Sequence, residues 1–400
     1  MRKQLVVRRA TFTLVFSALA CGSEGASSPD LTDAGTAAHI DGAMPTNDSS
    51  LVDASHDAGA SDACVPFAMP SGVDCSAPVD GVLPKDLRCT GLYGDFEAKK
   101  PACGLLEYTP AFQLWSDGAE KRRWASIPDG QKIDVSDPDG FVYPVGTRFW
   151  KEFRVRAADG SERMAETRLV QKSAAGWVYT SYVWSEDQTQ ATQMVNDVGA
   201  KNLYGTGHDV PTRDQCGECH SGRADFILGW DALLLGPGAQ GVTREQLVQR
   251  QLVEPSDSLA LSIPGNAVER AALGYLHVNC GISCHNDLPN AKGGDSGLRL
   301  RLEKNDLTSV ATTDAYTTGI NKLPSANAKL AGLPAIQGAW YDARPTDPTR
   351  SLLIARQTLR GVDGQMPRIA TNRVDDAGVQ AVSAWIASMT TDAGYPKPAP

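Results

Sequence analysis

The chain has 400 residues, of which 42% are hydrophobic and 21% are charged, and its formal net charge is −9. This apolar fraction excludes a fully disordered chain, and the length predicts two to three domains. The negative charge argues against a nucleic-acid-binding protein, since those usually carry a basic surface. After the N-terminal leader, no run reaches the roughly 18 apolar residues that a membrane-spanning helix needs.

Residues 1–21 have the features of an export signal, with a basic start and a short apolar stretch that ends in small residues. The last four, residues 18–21, resemble the lipobox of bacterial lipoproteins. That resemblance implies that Cys21 becomes the lipidated N-terminus. With Gly22 after it, it also implies an outer-membrane lipoprotein that faces the periplasm or the cell surface. The alternative is an ordinary cleaved signal with a free cysteine nearby.

Residues 22–63 are predicted to form a disordered acidic tether. They contain eight acidic residues and neither lysine nor arginine. They also lack the large apolar side chains that a core requires. Much of the chain's negative charge therefore belongs to a segment that would hold the folded part clear of the lipid surface.

Four cysteines, Cys64, Cys75, Cys89 and Cys103, lie within 40 residues of an exported chain and predict two disulfides. Short loops close most easily, which favours Cys64–Cys75 and Cys89–Cys103 among the three connectivities. A metal site is the alternative, although no histidine lies among these cysteines.

Residues 104–190 have the pattern of a β-rich segment. Three runs, 149–156, 164–170 and 177–184, are separated by short turn-forming loops and predict a three-stranded meander. Five tryptophans fall within residues 115–184, which predicts a dense aromatic core. The alternative is that one or two of these rings pack against a cofactor.

Residues 216–220, CGECH, match the CxxCH pattern of c-type haem attachment. The thiols of Cys216 and Cys219, one turn apart, can add to the two haem vinyl groups. His220 would then lie under the iron as its proximal ligand. The alternatives are a redox dithiol, which does not require the following histidine, or half of a zinc site, which would need further ligands nearby.

Residues 280–285, CGISCH, repeat this pattern with one additional residue between the cysteines. We expect Cys280 and Cys284 to attach a second haem and His285 to be its proximal ligand. The small residues at 281 and 283 would accommodate the additional residue as a bulge. The alternatives are a Cys280–Cys284 disulfide or a degenerate site without haem.

The sequence around the second motif resembles the small cytochrome c fold. Asn266 and Glu269 predict a capping box for a helix that runs into the motif. Met366 stands in an irregular segment, and Asp375 or Asp376 can cap a final helix with one apolar face. We expect Met366 to be the sixth ligand of the second iron, and the alternative is a core methionine.

These elements predict an α+β protein. A signal and a disordered acidic tether precede a β-rich, disulfide-containing domain over residues 64–255 that ends in the first haem site. An all-α cytochrome c-like domain with the second haem follows over residues 256–390. A short helix over residues 243–253, capped by Thr243 and Gln246, lies near the boundary. Because the motifs fall in different predicted domains, we expect two independent sites.

Residues 84–390 resemble a family of exported bacterial diheme c-type cytochromes of largely uncharacterised role. The matching pieces are residues 114–121 (LWSDGAEK), 166–169 (ETRL), 216–220, 274–280 (GYLHVNC), 347–348, 351–353 and 366–367. The resemblance implies two covalently attached haem c groups, and the family usually has CxxCH where this chain has CxxxCH. More faintly, residues 140–220 resemble the β-sheet monohaem cytochromes that oxidise hydroxylamine.

The function favoured by the sequence is a membrane-tethered diheme c-type cytochrome that transfers electrons in the periplasm or at the cell surface. A dehydrogenase or a small cytochrome would be its redox partner. No acid–base constellation stands out in the sequence. The alternatives are a haem enzyme with an open first haem, which oxidises a small nitrogen compound or reduces peroxide, and a tethered binding module with structural haem. The candidates for the sixth ligand of the first iron are Met164, Met194 and His208. His277 is the alternative to Met366 at the second iron, and we expect all four residues to be structural.

Overall fold

The computed structural model describes residues 64–76, 81–194, 198–254, 259–325, 333, 341–369 and 371–390. The predicted signal peptide, Cys21 and the tether lie outside the described residues. The described residues from 64 onward group into one compact unit. This unit combines a large antiparallel sheet with several helices, and the α+β class is therefore confirmed.

A seven-stranded antiparallel sheet is the largest element. In spatial order its strands are β11 (Gln240–Gly241), β3 (Leu106–Thr109), β4 (Glu120–Ser126), β5 (Arg148–Arg156), β6 (Glu162–Ser173), β7 (Gly176–Trp184) and β8 (Ala191–Gln193). Two small two-stranded sheets accompany it: β1 (Tyr93–Asp95) with β2 (Lys100–Pro101), and β9 (Ala200–Leu203) with β10 (His208–Val210). The predicted meander is confirmed as β5, β6 and β7.

Both faces of the large sheet are covered, because alternate residues of its central strands enter different cores. Phe149 packs with Tyr143 and Trp230 on one face. The next residue, Trp150, packs with Trp124 on the other face of the sheet. Trp184 belongs to this second core too, which agrees with the predicted aromatic core.

Six helices are described: α1 (Arg213–His220), α2 (Arg244–Gln249), α3 (Ala267–Leu276), α4 (Asp314–Gly319), α5 (Leu352–Thr358) and α6 (Asp376–Ser388). The capping box of Asn266 and Glu269 is confirmed at the start of α3. Asp375 caps α6 by accepting a hydrogen bond from the Gly378 amide at 3.0 Å. Helices α3 and α6 pack together in a core that includes Leu273 and Trp385.

The predicted helix over residues 243–253 is shorter than expected. Thr243 caps α2 by accepting a hydrogen bond from the Gln246 amide, but the helix ends at Gln249. Gln251 has a φ of +58°, and the amide of Leu252 turns back to Leu247. A left-handed residue cannot continue a right-handed helix, and this explains the earlier end.

The predicted disulfide pairing is wrong. Cys64 pairs with Cys103 and Cys75 pairs with Cys89, with Cα atoms 4.9 and 5.3 Å apart. The longer link forms because the backbone bridge between Val65 and Ala102 brings distant parts of the segment together. Loop length therefore gave a poor guide to the connectivity.

Within the part of the chain that the structure describes, no helix combines the length and apolar character needed to cross a membrane.

Candidate functional site

The first cysteine motif lies on α1. Thr212 and Gln215 form a reciprocal capping box that starts this helix. Cys216 and Cys219 are three residues apart and therefore on the same helix face. Both line one cavity together with His220, the last residue of α1.

The second motif begins in a single π-helical turn over residues 277–281. The amide of Ile282 donates to the carbonyl of His277 at 2.8 Å, and the amide of His285 donates to that of Cys280 at 2.9 Å. Such i to i−5 hydrogen bonds close a turn that holds one residue more than an α-turn. This π-helical turn accommodates the additional residue of the CxxxCH pattern. It ends at Gly281, one of the two small residues at which the sequence predicted a bulge. Gly281 is required there, because a Cβ would overlap the backbone of Leu300.

Both motifs line the same cavity, whose volume is about 450 Å³. The segments that carry them are in backbone contact, since a Cβ on Gly222 would overlap the carbonyl of Ser283. The two motifs therefore share one cavity, whereas the sequence led us to expect two sites in separate domains. All four motif cysteines lie outside the disulfides of the described residues, and the alternative Cys280–Cys284 disulfide does not form.

The two motif histidines each present Nδ1 to a protein oxygen. The Nδ1 of His220 lies 2.7 Å from the carbonyl oxygen of Phe226. The Nδ1 of His285 lies 3.2 Å from Ser296 Oγ and 3.3 Å from the Leu298 carbonyl. Hydrogen bonds of this kind fix the tautomer and leave Nε2 available to an iron. Burial lowers the pKa of His220 to about 4 and also lowers the pKa of His285, which favours the neutral imidazole that binds metals.

An aromatic wall holds the His220 ring. Phe226 lies 4.7 Å from it between ring centroids, and Tyr179 of β7 lies 4.9 Å beyond Phe226. Trp177 stacks on Phe226 at 6.3 Å, and its indole N–H donates to Asp225 at 2.8 Å. The sheet thus positions the first motif through β7, a contact that no local sequence pattern indicated.

Met366 lines the same cavity as both motifs. This position is compatible with the predicted ligand and equally with a methionine that only packs in the wall. Its amide donates to the Arg356 carbonyl at 2.9 Å. The side-chain amide of Gln365 donates to Pro367 and Thr371 at 3.1 Å each, which holds the segment in place.

Of Met164, Met194, His208 and His277, His208 alone lines this cavity. Met164 packs in the core beneath the sheet. His277 is buried, and its Nδ1 accepts a hydrogen bond from the Leu302 amide at 2.9 Å. The Nε2 of His208 lies 3.1 Å from Glu166 Oε1, so that nitrogen already has a partner.

A group of ionisable side chains lies beside His208, and the sequence did not indicate it. Arg168 donates two hydrogen bonds to Glu166, at 3.0 and 2.5 Å. Burial would raise the pKa of Glu166, but the charge of Arg168 and the hydrogen bond to His208 outweigh burial and lower it to about 2. Burial lowers the pKa of Lys151 well below its usual value. The register of β5 and β6 places Lys151 opposite Arg168, and a single sequence does not show register.

Comparison with protein-family models, with curated proteins and with solved structures finds no match for this chain. Among the described residues, no group of three or more His, Cys, Asp and Glu side chains is arranged to hold a metal ion. A haem iron takes four ligands from the porphyrin, so it needs only one or two from the protein.

Proposed function

We propose that this protein is an exported, membrane-tethered diheme c-type cytochrome that transfers electrons between two neighbouring haems. The observation that carries the proposal is the single cavity lined by both cysteine motifs. Two redox groups held side by side can exchange electrons, whereas separate sites would each need their own partner.

Cys216 and Cys219 would hold the first haem through thioether bonds, and Cys280 and Cys284 would hold the second. The bound haems supply iron that cycles between Fe(III) and Fe(II). The hydrogen bond of His220 to Phe226 occupies its Nδ1 and would leave Nε2 available to the first iron. The contacts of His285 with Ser296 and Leu298 do the same at the second motif.

Met366 would be the sixth ligand of the second haem, and Met/His ligation would raise the potential of that haem. His208 lines the same cavity, with its Nε2 held by Glu166. A dehydrogenase or a small cytochrome would be the redox partner, and Cys21 would anchor the chain to the outer membrane, in the periplasm or at the surface.

A second candidate function is an enzyme with an open first haem. The His208–Glu166–Arg168 group favours it, because a histidine held by a carboxylate beside an iron can move a proton to or from a bound substrate. The substrate would be a small nitrogen compound or peroxide.

The test is the haem count and the spin state of the full chain, produced in cells that attach haem c. Mass spectrometry of the denatured protein should give the polypeptide plus two haems. The double variants Cys216→Ala/Cys219→Ala and Cys280→Ala/Cys284→Ala should each carry one. Two low-spin ferric haems in the electron paramagnetic resonance spectrum support electron transfer, and one high-spin haem supports the enzyme. A chain without covalent haem overturns both.

A further inference from the structure

A row of three basic side chains crosses the large sheet next to the first motif. Arg123 of β4 is the direct cross-strand partner of Lys151 of β5, and Lys151 is the partner of Arg168 of β6. Directly paired residues on antiparallel strands point to the same face and lie about 4.5–5.5 Å apart at Cβ. All three line the cavity that contains both motifs.

Like charges in this arrangement repel, and within the described part of the chain Arg168 is the one member of the row that forms an ion pair. Arg168 pairs with Glu166 through two hydrogen bonds. The guanidinium of Arg123 is buried, with 5% of the residue exposed, and its Nη1 has no hydrogen-bond partner among the described residues. The Nζ atom of Lys151 lies 4.8 Å from the centre of the Phe153 ring. Burial lowers the pKa of Lys151 well below its usual value, and an anion beside it would favour the protonated form.

The surroundings carry charges of both signs. Lys121, on the same face of β4, donates to the Leu114 carbonyl at 2.7 Å, and burial lowers its pKa to about 7. Asp117, Glu218, Asp295 and Asp342 also line the cavity. Asp209 lines the cavity, but its carboxylate pairs with Lys201 at 2.6 Å. Burying an uncompensated charge costs free energy, and an anion in the cavity would remove that cost.

The row belongs to the first site. Lys151 and Arg168 line the same cavity wall as Cys216, Cys219 and His220 of the first motif.

We propose that Arg123, Lys151 and Arg168 form a binding site for a carboxylate or oxyanion group beside the first motif. An arginine fork matches two oxygens of such a group, and the lysine adds a point charge. The group has two sources: a propionate of the first haem, or a free small oxyanion that reaches the iron as a substrate. The inference rests on the proposed function for both sources.

The test uses the full haem-loaded chain and the variants Arg123→Gln and Lys151→Gln. The matched control is Arg122→Gln, because Arg122 precedes Arg123 but pairs with Glu107 on the other side of the strand. Haem content is measured first. Sodium nitrite is then titrated into the ferric protein while the Soret band is recorded, and the potential of the first haem is measured against pH.

If the site binds a free oxyanion, nitrite should bind to the wild type and to Arg122→Gln. Its affinity should fall at least tenfold in Arg123→Gln and in Lys151→Gln, and Arg123→Lys should restore part of it. If the site instead binds a propionate of the first haem, the affinity for nitrite should not depend on Arg123 or Lys151. The potential of the first haem should instead fall in both variants, and its pH dependence should move to higher pH, because a carboxylate without its cation binds a proton more readily.

Variants that match Arg122→Gln in both nitrite affinity and potential would overturn the anion site. If mass spectrometry finds no haem at the first motif, the proposed function fails separately. Calorimetric titration of the haem-free chain with nitrite then decides the anion site. Binding that is lost in Arg123→Gln supports it, and the absence of binding overturns it. Where Arg123→Gln fails to fold, Lys151→Gln carries the test.

Discussion

Gly222 and Ser283 touch through their backbones, with no room for a methyl group between them. Gly222 lies two residues after His220, and Ser283 lies immediately before Cys284. The two segments that carry the candidate haem ligands are therefore packed directly against each other. Any movement of one segment must be accommodated by the other.

The first prediction concerns this contact. Gly222→Ala should destabilise the protein by about 1–3 kcal/mol, because the added Cβ must push the carbonyl of Ser283 away. It should also change the spectra of both haems. Gly294→Ala is the control, since nothing lies within 4 Å of a Cβ at that position. Denaturant unfolding and visible spectra measure both effects. Equal behaviour of the two variants would contradict the contact.

The second prediction concerns Met366 as the sixth ligand of the second iron. Met366→Ala should abolish the near-infrared charge-transfer band of a Met–His haem and lower the potential, because thioether sulfur favours Fe(II). Stability should fall by roughly 2–5 kcal/mol if the side chain is well packed.

The control for Met366 is Met164→Ala. Met164 is buried in the core beneath the sheet and is absent from the cavity wall. Its loss should cost similar stability and leave the near-infrared band unchanged. A Met366→Ala protein that keeps its band and potential would show that Met366 only packs.

The third prediction is a pH dependence that arises from Glu166. The pKa of this carboxyl is lowered from 4.5 to about 2 in the folded protein. The contribution of the ionised carboxyl to the free energy of unfolding is therefore present above pH 4.5 and is lost as the pH falls toward 2. Glu166→Gln removes that dependence. The difference in unfolding free energy between wild type and variant should fall by roughly 2 kcal/mol from pH 7 to pH 3.

The control for Glu166 is Glu162→Gln on the same strand. The Glu162 side chain is 43% exposed and forms an ion pair with Arg154. Exposed pairs contribute little to stability, so its difference from wild type should change less with pH. Unfolding curves at several pH values provide the measurement. A Glu166→Gln difference that stays constant from pH 7 to pH 3 would rule out a carboxylate stabilised in this way.

The fourth prediction concerns the anchor. Cys21→Ser should release the protein from the membrane fraction or trap the precursor, because the lipid would be attached to this thiol. Ser23→Ala, two residues later, should remain with the membranes. Fractionation followed by intact mass measurement distinguishes the outcomes. Equal partitioning of wild type and Cys21→Ser would contradict lipidation.

Several features could be predicted from the sequence alone, because they depend on residues that lie close together in the chain. The capping box of Asn266 and Glu269 lies within one turn of helix, and Asp375 likewise caps the next three residues. The meander of β5 to β7 follows from short turns between alternating strands. Each cysteine motif is also contained within six residues. Interactions over such short separations depend little on the rest of the chain.

The tertiary structure alone decided which distant residues meet. It paired Cys64 with Cys103, brought both cysteine motifs to one cavity, and aligned Arg123 with Lys151 and Arg168. A shift of one residue in strand register would turn that row to the opposite face of the sheet. Register and packing result from the summed burial of many side chains, and no local pattern in the sequence specifies that sum.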